Sequence, residues 1–258
     1  MSVQVFLGEP PANIKKWIIE HYAPPTPAAG PLCFTAEQDG SSVSLIGWDD
    51  DMYNQIDIFA SLQYSYDNNT WQEWDGHVIN LAAGQKVYVK ALNPNPNGMA
   101  KNDGVQYHKF IFEGKIAASG SIQYLLEDTG SRTDVPTYAY YYMFYGCTNL
   151  TQAPALPATT LANNCYYYMF ANCTSLTSAP ELPATTLANG CYKSMFSGCT
   201  SLSSIKVAFT AWLDGNATTI WLNNVAASGT FTCPQTLIDN TTERGSSTVP
   251  ESWTMVAV

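Results

Sequence analysis

The sequence predicts a mainly β protein in three parts: a short N-terminal helix with its tether (residues 1–30), an antiparallel β-sandwich (31–118), and a short solenoid of about three coils closed by a C-terminal cap (119–258). Three observations carry this. Apolar residues recur at helical spacing only near the N-terminus, the chain from Leu32 to about Tyr124 alternates with period two, and a 26-residue segment then repeats.

Pro10-Pro11 opens a segment in which Ile14, Trp17, Ile18 and Tyr22 fall on one helical face, with Lys15, Lys16 and Glu20 on others. The following run from Ala23 to Pro31 is too rich in proline for helix or central strand and reads as a semi-rigid spacer. So short a helix is marginal alone in water, so the stripe must pack either on its own downstream domain or, as an anchor, on a partner protein.

The next ninety or so residues read as strands: Leu32–Glu37, Ser42–Ile46, Leu62–Tyr66, Trp71–Trp74, Val78–Leu81, Lys86–Leu92 and Tyr107–Glu113. Asp67-Asn68-Asn69-Thr70 tolerates positive φ and should close a hairpin between the third and fourth, and Asn93 to Gly98 marks another turn. Short strands at this spacing favour a compact antiparallel sandwich, with nothing that suggests a parallel sheet.

Met143-Phe144, Met169-Phe170 and Met195-Phe196 recur every 26 residues, with Cys147-Thr148-Asn149-Leu150, Cys173-Thr174-Ser175-Leu176 and Cys199-Thr200-Ser201-Leu202 in the same register. Stacked coils would place equivalent residues in columns roughly 4.7–4.9 Å apart, with the Phe and Leu columns inward. Pro154 and Pro180 lack the N–H a ladder needs, so the strand after each Cys-Thr-x-Leu should be very short. The column cysteines (147, 173, 199; 165, 191) read as small buried hydrophobes and reduced thiols, since one thiol per coil with no His nearby does not converge on zinc.

Tyr140, Tyr141, Tyr142, Tyr166, Tyr167, Tyr168 and Tyr192 occupy equivalent places in successive copies. Tyrosine is a stiff contact surface with a polar tip, so these columns form either a binding face, suited to stacking on sugars, or the packed edge of the coils. His21, His77 and His108 show no metal spacing or nucleophile context. The acids Asp49, Asp50, Asp51 and Asp57 lack calcium-loop spacing and read as a solvated turn. No metal, cofactor or catalytic residue is expected.

Charged residues make up only 12% of the chain, and with 11 basic against 21 acidic residues the formal charge is −10. Nucleic acid and anionic lipid are therefore poor partners. No apolar run reaches the length of a spanning helix, and the opening residues lack both a basic region and an apolar core, so neither membrane insertion nor signal-directed export is expected.

The segment C-T-S-L-T-S-A-P-E-L-P-A-T-T-L-A-N-G-C-Y-x-x-M-F (Cys173 to Phe196) resembles the BspA-like leucine-rich repeats of bacterial surface antigens. The resemblance covers about Ser119 to Val258, with Ala118 to Ile122 similar to an opening cap and the segments around Phe231 and Trp253 similar to a closing cap. The β-rich part upstream resembles segments found beside such repeats in tailed phages of gut bacteria. The resemblance implies a non-enzymatic virion protein: a fibre-like appendage, trimeric by analogy, joined to capsid or tail proteins through its N-terminus and facing host-surface glycan or protein. A bacterial cell-surface adhesin is the alternative, and a glycan-binding lectin or glycan-active enzyme the third reading.

Overall fold

The computed structural model describes residues 30–58, 60–101, 104–213 and 216–258. The expected N-terminal helix, with Ile14, Trp17, Ile18, His21 and Tyr22, lies outside these residues.

The described chain is mainly β and builds several sheets. Strands β1 (Leu32–Ala36), β2 (Ser41–Asp49), β3 (Asn54–Ile56), β4 (Leu62–Ser65), β5 (Gln72–Trp74), β6 (Ile79–Leu81), β7 (Lys86–Ala91), β8 (Gln106–Glu113) and β9 (Ile116–Ser119) come first, followed by β10 (Asp134–Val135), β11 (Leu150–Gln152) and β12 (Thr160–Leu161). One sheet has the order β11-β9-β1-β7-β4-β5; in another, β8 lines one side of β2 while β3 and β6 share the other. The two sheets meet through aromatic rings: Phe34 of β1 lies 4.9 Å from Phe110 and 5.1 Å from Phe112 of β8, and Trp74 of β5 stacks on Phe110 at 6.1 Å.

All seven strands read from the alternating pattern form, six with ends shifted by no more than a residue and β2 running three residues further, to Asp49, because the alternation places one row of side chains in the core. The hairpin between β4 and β5 closes as expected, with Leu62 opposite Trp74 and Asn68 at φ 62. The Asp67 carboxylate accepts from the Asn69 and Thr70 backbone N–H groups at 2.8 and 2.7 Å, a local bond set that holds the turn. The expectation of purely antiparallel pairing is corrected at one edge, where β9 pairs in parallel with β11 of the repeat region. Alternation within the first hundred residues cannot announce a partner strand more than thirty residues downstream.

Beyond β9 the chain runs in tight turns stacked on one another. Within a copy, Met143, Met169 and Met195 donate backbone N–H groups to the carbonyls of Tyr140, Tyr166 and Tyr192, three residues back. Between copies, Phe144 N–H reaches Met169 O at 2.9 Å, Phe170 reaches Met195 and Phe196 reaches Trp221, both at 3.0 Å. The rings of Phe144, Phe170 and Phe196 stack at 5.3 and 5.6 Å, nearly parallel, and they and Leu150, Leu176 and Leu202 are fully buried. β11 stops at Gln152, two residues before Pro154, and the next copy makes only a single bridge at Ser178 before Pro180.

A fourth turn follows the three legible copies. Trp221-Leu222 stands 26 residues after Met195-Phe196, both side chains are buried, and Ile220 and Asn224 repeat the positive φ of Ser194 and Gly198. Composition hides it, because Met-Phe has become Trp-Leu and the cysteine is absent. The parallel strands β13 (Ser204–Lys206), β14 (Thr230–Cys233) and β15 (Thr254–Ala257) then close the end, where Arg244 donates to the carbonyls of Val249, Pro250 and Trp253.

One apolar core joins the sheets to the turns. Phe110 N–H donates to Met143 O at 2.9 Å, its ring stacks 5.3 Å from Phe144, and Met99 N–H donates to Ala139 O. Gly98 is what allows that last approach: at φ +70 it lies so close to the first turn that a Cβ would meet Ala139 O at 2.5 Å.

Candidate functional site

The turn geometry separates three consecutive tyrosines that look alike in sequence. In the first column Tyr140, Tyr166 and Tyr192 are buried, with rings stacked at 5.7 and 5.9 Å and continued by Trp221 at 6.1 Å. These three belong to the core, which corrects the expectation that all seven tyrosines share a face. Burial pushes their phenols well above the ordinary tyrosine range. Tyr140 Oη finds Gln123 Oε1 at 2.9 Å, whereas Tyr166 Oη has no hydrogen-bond partner among the described residues.

The second column is Tyr141, Tyr167 and Lys193, the third Tyr142, Tyr168 and Ser194. Tyr141 is nearly buried, while Tyr142, Tyr167 and Tyr168 are half-buried. Tyr142 lies 4.8 Å from Tyr168, Tyr168 stacks on Tyr167 at 4.5 Å, and the Lys193 ammonium stands 4.9 Å over the Tyr167 ring.

The structure adds residues to this face that the repeat does not announce. Trp48 and Tyr107 stand opposite each other on β2 and β8, and Tyr107 stacks on Tyr142 at 4.9 Å. Tyr145 lies 4.7 Å from Tyr142, and Tyr138 meets Tyr141 edge-on at 5.6 Å. Lys109 places its ammonium 5.5 Å over Trp48 and 5.9 Å over Tyr145. A register between β2 and β8 would have paired Trp48 with Tyr107; their meeting with the repeat is a long-range contact without a local signal.

Asp50 anchors the margin. Its Oδ1 accepts from Trp48 Nε1 at 3.0 Å and from Tyr107 Oη at 3.2 Å, so burial and the neighbouring carboxylate raise the Tyr107 phenol far above its usual range. Burial and the Tyr168 phenol push Tyr167 up to about 12. Burial raises the Tyr142 phenol likewise, so Tyr107, Tyr142 and Tyr167 stay neutral throughout the physiological range, and the side chains of Lys109 and Lys193 stand over the face.

Asp49 is not the solvated acid expected of that turn. It is buried and accepts from Gln106 Nε2 at 2.6 Å, and this hydrogen bond holds its carboxyl below the ordinary range. Among the described residues no cluster of three His, Cys, Asp or Glu side chains could hold a metal ion. The seven cysteines are free and buried, and the first column uses its thiols as donors: Cys147, Cys173 and Cys199 reach the carbonyls of Phe110, Phe144 and Phe170 at 3.2, 3.1 and 3.0 Å. His77 is exposed beside Asp75, and His108 is buried with Nδ1 3.0 Å from Met99 O. No described helix is long and apolar enough to cross a membrane.

Two surface hollows lie elsewhere, one of about 300 Å³ near Asn223 and Ser252 and one of about 260 Å³ between Gly120 and Glu181. Both are shallow and neither brings titratable groups together. Compared with known proteins, the chain matches no family model, no curated protein and no solved structure. The arrangement best fitted to act is the aromatic face, which can stack on a flat ligand and offer phenol and ammonium donors at its rim.

Proposed function

We propose that this chain is a non-enzymatic structural and binding protein of the BspA-like leucine-rich-repeat kind, a fibre-like appendage of a phage particle. Residues 31–118 serve as a β-sandwich spacer, and residues 119–258 as a short solenoid of 26-residue repeats that presents its tyrosine face to host-surface glycan or protein. Ile14, Trp17, Ile18 and Tyr22 anchor the chain to capsid or tail proteins, and three chains assemble in the host cytoplasm into one appendage.

The observation that carries this reading is the half-buried aromatic face of Tyr142, Tyr167 and Tyr168, joined by Trp48, Tyr138 and Tyr145. Outward aromatic rings with polar tips favour recognition, since a stiff ring binds at little cost in conformational entropy. Repetition favours it too, because avidity from several copies compensates weak single contacts.

Mass spectrometry of purified virions alongside fractionated host cells tests the assignment. The expected result is the chain in particles, in a copy number divisible by three, and its loss from particles when residues 1–22 are deleted. Recovery only in the cell envelope would overturn it in favour of the adhesin.

A further inference from the structure

Repetition supplies an internal control for the tyrosine face. Tyr138 adopts φ 57, and the same bend is made in the next copies by Asn164 at φ 55 and Gly190 at φ 64. Tyr142 and Tyr168 adopt φ 56 and 55 where Ser194 makes the bend at 53 and Ile220 at 46. The left-handed region disfavours a bulky side chain, so the turn itself does not call for tyrosine there. Asparagine, glycine or serine completes the backbone as well, and the three rings occupy strained positions beside Tyr145, Trp48 and the two lysines.

Charge gives the second clue. In a chain of net charge −10, Lys109 and Lys193 make no ion pair among the described residues and stand instead over ring faces, whereas Lys206 of the same repeat region pairs with Glu181 at 2.8 Å. Between Tyr138 and Ile205, Glu181 is the only acid, so nothing of opposite sign competes for these ammonium groups from the repeats. Tyr167 and Tyr145 thus each hold a cation ready at the margin of a flat aromatic surface.

We propose that Tyr138, Tyr142, Tyr145 and Tyr168, with Lys109 and Lys193, form a site for an acidic saccharide, whose apolar ring face stacks on tyrosine and whose carboxylate is taken by a lysine. The site rests on the binding role proposed above and names its ligand class. A sparse negative charge fits two lysines on an acidic protein. A densely charged polyanion does not, because many phosphate contacts are needed to overcome repulsion by the rest of the chain.

The test is an array that prints sialylated and uronate-bearing oligosaccharides beside their desialylated and methyl-esterified counterparts, probed with the full-length chain and with single-stranded oligothymidylate in solution as competitor. Acidic members should bind and their neutral counterparts should not. The double variant Y142S/Y168S, which installs the residue that Ser194 already uses in the same bend, should lose roughly tenfold or more in affinity, the scale of lost aromatic stacking. K109Q/K193Q should erase the preference for acid and its dependence on salt. Equal binding of acidic and neutral members would overturn the acidic class while leaving glycan recognition standing. Acidic binding untouched by the tyrosine variants would overturn the site, as would tighter binding of oligothymidylate. Silence across the whole array would overturn both this site and the glycan-facing role, while virion association would remain separately decided.

Discussion

At the scale of single residues, His108 shows how burial sets the titration of one side chain. The ring is buried, with Nδ1 directed at Met99 O and Nε2 3.5 Å from Ala60 N, so it serves as donor and acceptor at once in its neutral form. Burial lowers its pKa from 6.5 to about 4. The unfolded chain therefore takes up this proton near pH 6.5 and the folded chain only near pH 4, so stability falls as pH drops through that window, by up to about 3 kcal/mol. Urea midpoints measured between pH 7 and pH 4 should show the slope in the wild type and lose most of it in H108Q, which keeps a donor and an acceptor but does not titrate. An unchanged slope in the variant would place the proton uptake elsewhere. Among residues the sequence was legible where chemistry and period agreed: the Phe and Leu columns are inward as their repetition predicts. It was not legible in Tyr140-Tyr141-Tyr142, where the order of burial depends on how a three-residue turn rotates each side chain, and identical neighbours carry no trace of that rotation.

At the scale of elements, seven strands were read from alternation, and the short extent of those in the repeats from two prolines, whereas the three- and four-residue strands β3 and β9 are too short to show a period. What escaped were pairings decided by distant partners: β9 with β11, Phe110 with Met143, and the fourth turn at Trp221-Leu222. Each is a contact between surfaces that become adjacent only once the first turns have stacked. A stack of this kind has a sharp consequence, because each copy bonds only to its neighbours and one whole period should be removable. Deleting residues 160–185 joins Thr159 to Thr186 and regenerates the Leu-Pro-Ala-Thr-Thr-Leu sequence across the junction. The shortened chain should remain folded, with lower stability but an unchanged β signature by circular dichroism. Removing residues 160–183 instead leaves every downstream column two residues out of step and should abolish the cooperative transition. If both deletions behave alike, the 26-residue register does not govern the packing.

At the scale of the whole molecule, the sheets act as the lid of the stack. The first turn would otherwise expose the Phe144 ring and the carbonyls of Ala139 and Met143; these are covered by Phe34 at 6.2 Å, by Phe110 at 5.3 Å, and by the backbone N–H groups of Met99 and Phe110. Parallel pairing of Ile116 with Leu150 carries the hydrogen-bond ladder across the same junction. An uncovered ring and two buried carbonyls without donors are the kind of defect that single cores do not tolerate, each carbonyl costing about 1–3 kcal/mol. The two halves are therefore expected to unfold together although their sequence patterns differ. Far-ultraviolet circular dichroism, which follows the strands, and near-ultraviolet tyrosine signal, to which the repeats contribute nine of the sixteen tyrosines, should give coincident thermal transitions in the full chain, with calorimetric and van't Hoff enthalpies in agreement. Residues 119–258 expressed alone should aggregate or melt well below the full chain, and substituting F110A in the full chain should lower both signals by the same number of degrees. Two separated transitions, or an isolated 119–258 segment as stable as the whole, would mean that the stack closes on itself and that the junction through Phe110 contributes nothing to its stability.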